Sequence, residues 1–171
     1  MTIGAEPDLQ TISLWDWTNV NETGPIVSMI IKPTLSQSCP MHWIKFNPDK
    51  NQEIAMNSAR RIMFMSWKHE SSQFEYYSPS LQGTDSKGSE PIRFTKTVFI
   101  PKSQMAVTGT CVGDILVFDR SLIIEGIGDA DQKRLIKIVT LTSKTSINQL
   151  MTIGDKYLVV GNSDGNIRFY D

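Results

Sequence analysis

Cysteine and histidine are nearly missing from this chain, with two of each in 171 residues: Cys39 and Cys111, His42 and His69. None has a second His, Cys or carboxylate at the spacing of a metal ligand set. No Ser/His/Asp or Cys/His combination points to nucleophilic catalysis either. The two cysteines are expected to stay as free thiols in a reducing compartment. An excess of one charge is also missing. The 17 basic and 18 acidic residues are scattered and leave a net charge of -1, so neither nucleic acid nor an anionic membrane is expected as a direct partner. No apolar run is long enough for a membrane-spanning helix, and Met1 to Glu6 lacks the charged and apolar regions of a signal peptide, which makes the cytoplasm the expected location.

Three partial motifs fail for stated reasons. Gly83 to Ser89 has the glycine spacing of a phosphate-binding loop but lacks the lysine that reaches the phosphates, and no strand-to-helix pattern surrounds it. Asp129-Ala130-Asp131 begins like a calcium loop, yet Arg134 stands where glycine must turn the chain and Thr140 where a bidentate glutamate is needed. Asn21-Glu22-Thr23 fits a glycosylation sequon, which carries no weight without a secretory signal. The expectation is a protein without catalytic residues, metal or other cofactor.

What the chain does have is a repeat. Ile12-Ser13-Leu14-Trp15-Asp16, Ile62-Met63-Phe64-Met65-Ser66, Ile115-Leu116-Val117-Phe118-Asp119 and Ile167-Arg168-Phe169-Tyr170-Asp171 share one pattern of residue types. Aligned on the leading Ile they recur at intervals of 50, 53 and 52 residues. Short strand-like segments recurring on that scale mark a β-propeller. Three of the four end in an aromatic followed by Asp, where a WD repeat closes the third strand of a blade. The structural repeat positions are therefore Trp15, Asp16, Phe118, Asp119, Tyr170 and Asp171, with Asp164 in the turn before the last of them.

Period-two alternation and turn residues divide the chain further. The fold expected is all-β: a partial WD-repeat propeller of about three and a half four-stranded blades belonging to a larger ring. It comprises a blade remainder over 1–31, blades over 41–77 and 94–140, and a last blade over 146–171 lacking its outer strand. Asn47-Pro48-Asp49 and Pro101-Lys102 fall between first and second strands, because proline cannot donate to a central ladder. Asp164-Gly165 supplies the positive φ of a tight hairpin. Both ends are expected to cut through a blade and leave edges that flanking sequence or another chain must cover.

Two groups of residues are candidate partner contacts. Trp17 and Trp67 align with each other just past the repeat strand, where a blade meets its neighbour or a partner. Gln82, Asp85 and Lys87 lie in the polar, Gly/Ser/Pro-rich stretch Ser78 to Pro91, whose composition suits docking rather than core formation.

With the repeats laid out, the chain resembles the WD-repeat proteins, and more narrowly the propeller region of the cilia- and flagella-associated protein 251 family. The residues carrying the narrower resemblance are Leu14-Trp15-Asp16-Trp17-Thr18, Phe46-Asn47-Pro48 with Glu53 to Ser58, and Val160 to Asp171. It departs from the usual WD pattern at Ala59 and Val112, which align with Asp164, and it lacks the Gly-His pair of the blade start. The resemblance implies a non-catalytic subunit of the calmodulin- and spoke-associated complex of motile cilia. Such a subunit docks a radial spoke on doublet microtubules, contributes to regulation of ciliary movement, and meets calmodulin indirectly. The axoneme of a cilium or flagellum is the location this implies. The alternative within the same fold is a cytosolic adaptor, a ubiquitin-ligase substrate receptor or trafficking scaffold that binds peptide motifs.

Overall fold

The computed structural model describes residues 1–6, 9–19, 21, 23–31, 39–81, 92–120, 132–141 and 144–171. Among them fourteen strands and no helix form four antiparallel sheets in chain order. The first holds β1 (Thr2–Glu6), β2 (Leu9–Leu14) and β3 (Val27–Ile31); the second β4 (Trp43–Phe46), β5 (Glu53–Asn57), β6 (Ile62–Lys68) and β7 (Gln73–Tyr77). The third holds β8 (Phe94–Phe99), β9 (Ala106–Thr110), β10 (Asp114–Arg120) and β11 (Lys133–Thr140), and the fourth β12 (Ile147–Ile153), β13 (Tyr157–Asn162) and β14 (Ile167–Tyr170). Every sheet is a meander in which consecutive strands are neighbours, as short connections favour.

Successive residues of a strand point to opposite faces of its sheet, so each repeat strand serves two neighbours at once. Ile12 and Leu14 turn toward the second sheet, and Ile12 packs there with Met63 and Met65. Ile62 and Phe64 turn toward the third sheet and meet Leu116 and Phe118. Ile115 turns toward the fourth and packs with Ile147, Leu150 and Val160. The leading Ile thus faces the following sheet, and the fourth position of the pattern, held by Met65, Phe118 and Tyr170, faces the preceding one. In the fourth sheet the positions equivalent to Ile62 and Phe64 meet no further sheet among the described residues: Ile167 is 68 % and Phe169 64 % exposed.

The rule explains why equivalent aromatics differ. Phe118 has the second sheet before it and is fully buried. Tyr170 is half-buried against the third sheet. Among the described residues no sheet lies before Trp15, which is exposed, its indole Nε1 donating to Thr2 Oγ1 at 3.1 Å. Equal burial at Phe118 and Tyr170, which the repeat alignment suggests, does not hold. Strand ends also differ from expectation. β2 stops at Leu14, because the Asp16 carboxylate takes the Thr18 N–H and hydroxyl at 2.9 and 2.6 Å and turns the chain away. Trp15 and Asp16 therefore lie beyond the strand, whereas β6 runs on to Lys68 and contains Trp67.

Two glycines are held by geometry. Gly165, at φ +81°, closes the β13–β14 hairpin in a conformation that other residues rarely adopt. Gly109 on β9 lies so close to β12 that an added Cβ would sit 2.6 Å from Ile147 Cγ2.

Candidate functional site

A cleft of about 930 Å³ lies between the second and third sheets among the described residues. It is lined by the turn Lys50 to Gln52, the end of β6 with Trp67 and Lys68, Glu75 and Tyr77 of β7, and Arg120 and Gln132 beside β10 and β11. The Asn47-Pro48-Asp49 turn shapes one wall: Asn47 Oδ1 accepts from the Asp49 N–H at 3.0 Å while its Nδ2 donates to Glu53 Oε2 at 2.6 Å. That leaves Glu53 Oε1 for the Lys133 ammonium, 2.6 Å away.

Lys133 is the unusual residue here. Its side chain is fully buried beneath the cleft, with Nζ 5.9 and 5.7 Å from the centres of the Phe64 and Phe99 rings. Its backbone N–H donates to the Tyr77 hydroxyl at 2.5 Å. Burial pushes its pKa below the ordinary lysine value; the Glu53 hydrogen bond and charge oppose that, and the nearby cations Arg120 and Lys50 add to it. Charges of both signs around a polar cleft suit binding of a peptide or protein surface. They assemble no nucleophile with its base, and no group of three potential metal ligands occurs among the described residues.

Trp67 lines this cleft, half-buried, with its ring 5.2 Å from that of His69. Trp17, which aligns with it, sits instead in the β2–β3 connection and is 87 % exposed. Gln82, Asp85 and Lys87 lie outside the described residues, as do the phosphate-loop-like stretch and the Asp129-Ala130-Asp131 segment.

The WD-type positions hold local structure. Asp164 receives the Asn166 N–H at 3.0 Å and pairs with Arg168 at 2.6 Å, which holds its carboxyl far below the usual carboxylate range. Arg168 Nη1 also donates to Asn162 Oδ1 at 2.8 Å. Asp119 Oδ1 accepts from the Arg120 N–H at 2.7 Å, and Asp171 is exposed near Lys156. In the second and third repeats, where Ala59 and Val112 stand in place of Asp164, other residues close the turn. Ser58 Oγ accepts from the Arg60 and Arg61 N–H groups at 3.1 and 2.9 Å, and Thr110 Oγ1 receives the Asp114 N–H and donates back to the Asp114 carbonyl.

Sequence reasoning missed a position that recurs five residues ahead of the leading Ile, occupied by Asn57, Thr110 and Asn162, all buried. Asn57 Nδ2 donates to the Thr95 carbonyl at 3.1 Å, and its Oδ1 accepts from Thr97 Oγ1, which in turn meets Thr108 Oγ1 at 2.9 Å. Trp43 Nε1 donates to the Thr97 carbonyl at 2.9 Å. This polar network spans the second and third sheets. Its signal was available as a small polar residue repeated at one offset from the pattern. The Lys133–Glu53 pair had no such signal, since nothing in the local pattern marks either residue as buried.

A family model described as the CFAP251 N-terminal domain matches residues 1–171. The chain is 38 % identical over 180 residues to cilia- and flagella-associated protein 251 of Tetrahymena thermophila, covering 97 % of this chain and 17 % of that protein. It is 34 % identical over 170 residues to the protein of the same name from Chlamydomonas reinhardtii, covering 95 % of this chain and 20 % of the relative. It therefore spans about a fifth of the length of these relatives. Among solved structures, the β-propeller domain of Myceliophteria thermophila Cps50 (Swd1) superposes with a TM-score of 0.67 at 15 % identity, over 94 % of this chain and 47 % of that one. At that identity the likeness shows the fold alone: four sheets arranged as consecutive blades of an open, partial propeller.

Proposed function

The chain belongs to the CFAP251 N-terminal domain family of cilia- and flagella-associated proteins, and on that premise we propose that it is a non-catalytic scaffold segment of the motile axoneme. In this reading it serves the calmodulin- and spoke-associated complex that docks a radial spoke on doublet microtubules. The observation carrying the scaffold reading is that the buried ionic and polar groups bind one sheet to the next: Lys133 with Glu53, and Asn57 with Thr95 and Thr97. They stiffen a platform and leave its surface for partners.

Trp17 is the partner contact this reading favours, as an indole 87 % exposed on a loop tip that contributes nothing to the core. Trp17→Ala in the intact protein should weaken retention on detergent-extracted axonemes while leaving thermal stability unchanged. Full retention in this variant would remove Trp17 from the interface, and an intact protein that washes out of axonemes altogether would favour a cytosolic adaptor.

We also propose that the bare face of the fourth sheet, formed by Met151, Ile153, Tyr157, Ile167 and Phe169, packs against another blade of the same ring. The support is positional: the residues equivalent to Ile167 in the other repeats, Ile12, Ile62 and Ile115, are all buried against a following sheet. In the intact protein, hydroxyl-radical footprinting should find Phe169 and Tyr157 protected. Reactivity matching that of Trp17 would show that solvent, not a blade, meets this face.

A further inference from the structure

The three interfaces between neighbouring sheets are built from different chemistry. Between the second and third, the core holds Phe64, Phe94, Phe99 and Phe118, with Tyr77 against them. Rings are rigid, and this interface is further tied by the Asn57–Thr97 network, by Phe94 N–H on the Ala59 carbonyl at 2.8 Å and by the Lys133–Glu53 pair. Between the third and fourth, Val98, Val107, Ile115, Ile147 and Val160 interlock. Their β-branched side chains have few rotamers, and Gly109 lets the backbones close up.

The interface between the first and second sheets is different. Met41, Met56, Met63 and Met65 are buried in it, with Met1 and Met29 packed alongside, which is six of the eight methionines of the chain. Methionine has three rotatable bonds and a polarizable thioether, so a core made of it can re-pack at little cost. Among the described residues, the hydrogen bonds across this interface come from one buried side chain. Gln10 Nε2 donates to the Met41 carbonyl at 2.9 Å and Gln10 Oε1 accepts from the Met41 N–H at 2.8 Å. A two-pronged contact at one point, with deformable packing around it, has the makings of a pivot.

We infer that the first sheet is a compliant member that shifts against the second about the Gln10–Met41 contact, while the second, third and fourth sheets move as one body. The strand ladder of the first sheet stays intact in this motion, because β1 and β3 pair with β2 over five residues each. Motions of this type re-pack an interface rather than unfold it. The Trp15–Trp17 loop leaves the sheet at the end of β2, so the motion carries these two indoles with it.

The test is electron–electron distance measurement on the intact protein, with site-specific labels at Ser28 and Gln73 across the first interface and at Gln73 and Lys137 across the second. The Ser28–Gln73 distribution should be measurably broader than the control. Gln10→Ala should broaden it further and leave the control pair unchanged. Met56→Leu with Met63→Leu, close in volume but with fewer rotors, should narrow it. Equal widths in the unaltered protein would overturn the inference, and so would either variant moving both label pairs alike.

Discussion

Replacing Phe118 with alanine is expected to lower the stability of the intact protein by about 3–5 kcal/mol, the usual cost of removing a large aromatic from a packed core. The upper half of that range applies where the cavity cannot collapse. Phe118 is fully buried, and its ring stands edge-on to Phe64 with centroids 5.7 Å apart. Phe64 in turn leans on Phe99 at 6.3 Å and Tyr77 at 5.8 Å. Rings held this way have no flexible ends to move into the space. Tyr170→Ala, at the same repeat position but half-buried, should cost less than half as much. Denaturant midpoints of the two variants give the order directly. A Phe118→Ala loss under about 1 kcal/mol would mean that the register bringing Phe118 onto Phe64 is wrong.

The difference between those two losses separates what could be read in the sequence from what could not. A repeat near fifty residues, filled with alternating short strands and punctuated by Asn, Asp, Gly and Pro, is enough to find the four sheets and nearly all of their strands, because strand pairing within a blade is local. Gly165 and the Asn47-Pro48-Asp49 turn were legible for the same reason. Burial at a given repeat position was not legible. It depends on whether a neighbouring sheet exists on that side, a non-local condition that leaves Phe118 buried, Tyr170 half-buried and Trp15 exposed. Trp17 and Trp67 show the limit clearly: the alignment equates them, yet Asp16 ends β2 early and sends Trp17 into a loop, while β6 carries Trp67 into a cleft wall.

The polar ties between sheets were the least legible layer. Asn57, Thr97 and Thr108 look like ordinary strand residues, and what makes them a network is the approach of β5 to β8 and β9. The same holds for Gln10, which reads as a surface residue until Met41 comes to lie beside it. Such contacts join residues separated by 31 to 40 positions, an offset that the fifty-residue repeat does not mark. They also decide how rigidly blades of similar sequence hold together, because hydrogen bonds in a desolvated interface are costly to leave unmade.

Glu53→Ala should have a comparable effect, about 3–5 kcal/mol near neutral pH, because it strands the Lys133 ammonium in an apolar pocket. Lys133 then keeps Phe64 and Phe99 as neighbours but loses the carboxylate 2.6 Å away. The cost should depend on pH in a definite direction. Burial already holds the folded-state pKa of Lys133 below the ordinary 10.5, and removing Glu53 takes away the main influences that raise it. A lysine with a lowered folded-state pKa binds fewer protons folded than unfolded between that value and the ordinary one, so stability rises with pH across this alkaline window. The Glu53→Ala penalty should therefore be largest near neutrality and shrink as the amine loses its proton. Glu53→Gln combined with Lys133→Met should cost clearly less than Glu53→Ala alone, since no buried ammonium is left and the Gln carbonyl can still accept from Asn47. Denaturation at neutral and alkaline pH measures each variant. A Glu53→Ala penalty that is small at neutrality or grows with pH would show that Lys133 reaches solvent and that the pair is not the buried tie between the second and third sheets.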